Sequence, residues 1–97
     1  MTNESDKPYA PIGCDQHSVL ELLAMRRVTV ALQARDHDGR VFGLHGSVRD
    51  VATRSGAEYL VLLDGAAAEH AVRLDRLLTL HDQAGTLLWR QKPVEPD

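Results

Sequence analysis

A chain of 97 residues, 43% hydrophobic and 26% charged, suffices for one small domain with a single core, and no run is long and apolar enough to span a bilayer. The net charge of −3 is unevenly placed: residues 1–21 carry Glu4, Asp6, Asp15 and Glu21 against Lys7, while acids and bases balance beyond them. That distribution argues against nucleic acid, whose phosphates need a Lys/Arg stripe, and suits a basic protein surface; the lone cysteine excludes an intrachain disulfide and fits a reducing cytoplasm.

In chain order, residues 1–8 are polar, offer nothing apolar after Met1, and read as a disordered tail. Residues 9–90 read as one domain. The stretch Tyr9-Ala10-Pro11-Ile12-Gly13-Cys14-Asp15 opens it as an extended arm, because Pro11 fixes its own φ and pushes Ala10 away from the helical region. A helix follows, ending near Met25-Arg26. Ser18 with Glu21 three residues on has the form of a capping box, and Asp15 offers a further side-chain oxygen to the first turn. Val19, Leu20 and Leu23 make one apolar stripe, and His17 with Glu21 makes a polar outer face. Arg26 and Arg27 suit the negative end of the helix dipole. Tyr9, Pro11 and Ile12 read as structural anchors of the arm. Cys14 joins them as a small hydrophobe packed among Ile12 and Leu22.

From Val28 the period changes to two. Val28, Val30, Leu32 and Ala34 alternate with polar or small residues, as in a half-buried strand. Asp36-His37-Asp38-Gly39 supplies a hairpin turn. A second strand starts at Arg40, with Phe42, Leu44, Gly46 and Val48 inward and His45, Ser47 and Arg49 outward. Its glycines predict a bend, and the lost alternation near Val48 predicts a bulge or strand end. After Arg54-Ser55-Gly56, residues 58–63 are nearly all apolar and read as the central strand, buried on both faces. Asp64-Gly65 turns the chain, and the three alanines after it are too few to nucleate a helix. Val72, Leu74, Leu77, Leu78 and Leu80 belong to one or two strands bent at Asp75-Arg76. Ala84-Gly85 leads into a last apolar piece, Thr86-Leu87-Leu88-Trp89. Residues 91–97, with Pro93 and Pro96, read as a flexible C-terminal tail. The pattern is a mostly β fold with one N-terminal helix, whose strands form a small antiparallel barrel of about five strands closing its own edges.

Reactive groups are scattered. His17, His37, His45, His70 and His81 lack any ligand spacing, so no metal site and no cofactor are expected. Without a nucleophile–base pair, a phosphate loop or a carboxylate dyad, an enzyme is not expected either. Asp15 and Glu21 have a capping role, worth about 1 kcal/mol for a cap residue. They can also face a partner. Glu58, Glu69 and Asp75 read as solvated charges, with Glu69 in an exposed loop the best further contact. Arg73 with Asp75 reads as a structural pair at the sheet edge, of little value if exposed.

The opening Tyr-x-Pro-Ile-x-Cys-Asp followed by Leu20-Glu21-Leu22 resembles the Rof family of Rho-binding antiterminators, as do Glu58-Tyr59-Leu60-Val61 and Arg73-Leu74-Asp75. The resemblance spans roughly residues 9–80. It implies an Sm-like fold and an inhibitor of Rho-dependent transcription termination, which binds the basic RNA-binding domain of Rho and blocks RNA access. It further implies that the acidic helix surface of Asp15 and Glu21 faces Rho; His17 on the same helix face and Glu69 in its exposed loop are expected to join that contact, on a cytoplasmic monomer expected to bind neither nucleic acid nor membrane. Where the family carries more acids after Cys-Asp, this chain has Gln16, His17 and Ser18, a thinner acidic face. The alternative is an Sm-like RNA-binding protein of unknown target, which the missing basic cluster and only four aromatics oppose.

Overall fold

Residues 8–92 are described by the structure, a computed structural model. Helix α1 (Cys14–Met25) is followed by β1 (Thr29–Arg35), β2 (Val41–Arg54), β3 (Ala57–Leu63), β4 (Glu69–Arg73), a 3-10 turn (Leu74–Arg76), β5 (Leu77–His81) and β6 (Leu87–Arg90). The strands form one antiparallel sheet in the order β4-β3-β2-β1-β5-β6. The mostly β fold with one N-terminal helix is therefore as expected, while the predicted closure is not. The sheet is open, with β4 and β6 at its edges. The reason lies in the last apolar piece, which extends the sheet beyond β5 by pairing Leu80 with Trp89 instead of meeting β4.

Alternation sets the strands. On β1, Val30, Leu32 and Ala34 are buried between outward neighbours. β2 is long enough to serve two partners: its first half pairs with β1 and its second with β3, Ser47 being opposite both Thr29 and Leu63. The register slips between Val48 and Asp50, so Arg49 is the extra residue of the predicted bulge and Val51 returns to the core side. Gly46 is required where it stands, because a Cβ there would lie 2.6 Å from the carbonyl oxygen of Leu63. β3 is buried on both faces at Leu60, Val61 and Leu62, but it is second from the edge and not central.

Leu20 and Leu23 of α1 pack on a core that includes Val30, Leu32, Val48, Leu60, Leu74, Leu80 and Trp89. Each fully buried leucine contributes roughly 1.5–3 kcal/mol of transfer free energy. The helix lies against β2 and β6.

The start of the helix departs from the sequence reading. Gly13 is the N-cap, and no side chain caps the turn. Ser18 sits in the second turn, exposed, so the capping box does not form; Asp15 does stand in the first turn, where the dipole favours its charge. The predicted polar outer face is also wrong, since Val19, Leu22 and Met25 are 38%, 43% and 80% exposed.

Three hairpin loops share one construction. Oδ1 of Asp36 accepts the amides of Asp38 and Arg40. Oδ1 of Asp64 accepts those of Ala66 and Ala68, and Oδ1 of Asp82 those of Ala84 and Thr86. The fourth residue of each loop is left-handed: Gly39 (φ 86°), Ala67 (φ 63°) and Gly85 (φ 88°). Gly65, the apparent turn glycine, does not fill that role.

Gln91 and Lys92, expected in a loose tail, are tied down. The Gln91 amide donates to Leu78 O, its side chain donates to Leu74 O and Leu77 O, and the Lys92 amide donates to Gln16 Oε1. Residues 1–7 and 93–97, where the remaining tail expectations fall, lie outside the described residues.

Candidate partner-binding surface

The arm is latched through charged groups from two distant segments. The Tyr9 hydroxyl donates to Glu58 Oε1 at 3.1 Å, and its ring lies 5.8 Å from the Arg73 guanidinium. The Ala10 amide donates to Asp75 Oδ2 at 3.0 Å. Arg73 grips the same carboxylate through Nε and Nη2 at 2.8 and 2.9 Å. The two side chains are only 11% and 13% exposed, so this pair is more than the weak surface bridge its sequence position implied. Burial and the bond to the Glu58 carboxylate hold the Tyr9 phenol well above its ordinary range.

Glu58 also fixes the helix. Its Oε2 lies 2.8 Å from His17 Nε2, which must donate because a carboxylate only accepts. His17 Nδ1 stands 3.5 Å from Glu21 Oε1, the expected neighbour one turn on. Glu58, read from sequence as a solvated charge, is thus the hub that joins arm, helix and β3. The signal for it was present: Tyr9, Glu58 and the Arg73-Asp75 pair fall within the three quoted motifs, and the fold brings those motifs together.

A second clamp was missed altogether. Gln16 is buried; its side-chain Nε2 donates to Arg90 O at 2.6 Å, and its backbone carbonyl accepts the Trp89 indole N–H at 3.1 Å. The residue that seems to thin the acidic face is the bolt between α1 and β6.

The nominated residues do not form one patch. Tyr9 and Ile12 are partly buried and pack against the core. Pro11 is exposed and does not join the core. Cys14 is exposed and is not a packed hydrophobe, because the helix starts there and turns its side chain outward. His17 is half-buried and held by Glu58, so it does not itself lead the outer face. Asp15 and Glu21 are exposed. Six residues apart, they point about 120° from each other. Asp15 borders a groove with Val19, Leu87, Trp89, Arg90 and Lys92, and Glu21 one with Met25, Arg49 and Asp50. Glu69 opens β4, opposite Leu63 at the far end of β3 from Glu58, about 17 Å along at 3.4 Å per residue. Among the described residues no group of three or more His, Cys, Asp or Glu is placed to hold a metal ion, and no helix is long and apolar enough to cross a membrane.

An anchored helix carried on an antiparallel sheet, with exposed carboxylates on two sides, defines a small mostly β domain that presents a helix to its surroundings. Its family follows from comparison with known proteins. Residues 11–87 match the family described as modulator of Rho-dependent transcription termination (ROF), and the chain belongs to that family. It is 30% identical over 81 residues to protein rof of Escherichia coli (strain K12), covering 82% of this chain and 90% of that protein. The same figures hold for protein rof of Shigella flexneri. Among solved structures it resembles YaeO bound to magnesium from Vibrio cholerae O395, with a TM-score of 0.54 over 78% of this chain and 86% of that one. At 18% identity that likeness is one of fold.

Proposed function

We propose that this protein inhibits Rho-dependent termination by docking α1 on the basic RNA-binding domain of Rho, so that RNA is kept out by competition and by opposing charge. Membership of the ROF family supports the process, and the observation that carries the mechanism is the exposure of Asp15 and Glu21 on a helix fixed at both flanks. No Lys or Arg pairs with either carboxylate among the described residues. Their charge is therefore available to a cationic groove, where complementary potentials raise the encounter rate. Glu69 is placed to add a contact only if the partner reaches along β3. No reaction and no cofactor enter this role, and the protein works in the cytoplasm beside its target.

The test replaces Asp15 with Asn and Glu21 with Gln together. These isosteric amides keep the side-chain shape while removing the charge. The expected outcome is loss of most inhibition in a purified termination assay, with unchanged circular dichroism. Full inhibition by the folded double variant would move the binding surface to another element, first to the loop before Glu69.

A further inference from the structure

The outer face of α1, part of which the docking role already uses through Asp15, carries a pattern that the charge of Asp15 and Glu21 does not account for. Asp15, Val19, Leu22 and Arg26 are all exposed. They recur at steps of four, three and four residues, the heptad spacing at which one helix meets another. At about 100° per residue they fall within a stripe about 60° wide. Arg26 belongs to it because, as the capping residue, it keeps helical backbone (φ −91°, ψ −2°). The two central side chains are apolar and 38% and 43% exposed. An acid closes one end and a base the other, and neither has an ion-pair partner among the described residues.

We propose that this stripe is the interface of a symmetric dimer, in which α1 of one copy pairs antiparallel with α1 of a second. The spacing is what selects a second copy as occupant. Asp15 stands four residues outside Val19, and Arg26 stands four residues outside Leu22. A two-fold axis midway between Val19 and Leu22 therefore sets Val19 on Leu22 of the other copy, twice. The same axis brings Asp15 to Arg26 at both ends. Isologous contacts need such a self-complementary patch, and an unrelated partner helix would not need its charges balanced about a centre. Antiparallel macrodipoles attract as well. Leu87 on β6, 47% exposed and in the same groove as Val19, widens the apolar part. A helix about 18 Å long makes a contact below the roughly 1,000 Å² of stable interfaces, so the dimer is weak, with a dissociation constant on the order of 0.1–1 mM.

Sedimentation equilibrium of the full chain tests this. The expected result is monomer near about 10 µM and a dimer that grows toward about 1 mM. Asp15→Arg and Arg26→Asp should each weaken it about tenfold, because like charges then face each other at both ends. Combining the two should restore the wild-type constant, and Leu22→Asp should leave only monomer. All these positions are exposed, and circular dichroism checks that each variant is folded. Monomer at every wild-type concentration would overturn the proposal. So would a combined charge swap that dimerises no better than the single changes, or a dimer indifferent to Leu22→Asp. None of these outcomes touches the Rho reading, which is measured in a separate assay with Rho present.

Discussion

Ala67 shows how one residue can hold a loop at a cost. Its counterparts in the other two loops are Gly39 and Gly85, and all three sit at positive φ. A left-handed alanine costs about 1–2 kcal/mol, and a glycine gives back about 0.4–1 kcal/mol through a looser unfolded chain. Ala67→Gly should therefore stabilise by about 0.5 kcal/mol, raising the melting temperature by roughly 2–4 °C in a domain of this size. Gly39→Ala and Gly85→Ala should lower it; nothing lies within 4 Å of either added Cβ, so the loss would report backbone strain alone. Asp64 links the same loop to pH. His70 Nε2 bonds its Oδ2 at 2.8 Å and loop amides bond its Oδ1, which holds its carboxyl below the usual 3.8. A depressed folded value means that the contribution is fully present above the unfolded pKa and is lost as the pH falls through the folded one. Acid titration of stability should therefore show a drop below about pH 3.8 that Asp64→Asn reduces.

At the level of elements, α1 is held by one polar clamp on each flank, Glu58 on the β3 side and Gln16 on the β6 side. Gln16→Glu would move the sequence toward the acidic family pattern. It should nonetheless destabilise by about 1–3 kcal/mol, since a carboxylate cannot donate to Arg90 O and is left half-desolvated against it. Glu58→Ala removes the acceptor of both Tyr9 and His17 and should cost about 1–3 kcal/mol in a urea melt, more than Tyr9→Phe, which removes one bond. What the sequence disclosed follows the reach of each signal. Period two placed β1, β2 and its bulge, because burial of Val30, Leu32 and Val48 is written locally. The helix itself was visible, but its start was not: Gly13 caps it without a side-chain signature, so Ser18 took a role it does not have. Gln16 and Glu58 were illegible as clamps because their partners lie 74 and 41 residues away in sequence. Strand count suffered likewise, since nothing local says whether Trp89 will pair with Leu80 or close a barrel.

For the whole molecule, the acidic arm and helix and the apolar stripe on α1 make separable demands on a partner. Electrostatic docking on Rho requires an association rate that responds to salt, because the Debye length shrinks from about 30 Å at 0.01 M to about 8 Å at physiological ionic strength. Apolar docking through Val19, Leu22 and Met25 requires a rate nearly indifferent to salt, since burying those side chains does not depend on long-range fields. Asp15 stands at the N-terminal end of the stripe and Glu21 beside Met25, so these carboxylates should govern encounter while the apolar side chains set residence time. Stopped-flow association with Rho across a salt series is therefore expected to slow by roughly tenfold or more over that range, with dissociation changing far less. Leu22→Ala should do the reverse, leaving the association rate and its salt slope in place while dissociation quickens. If instead the association rate stays flat with salt and Leu22→Ala alone abolishes binding, the apolar face does the docking and Asp15 and Glu21 serve the helix only.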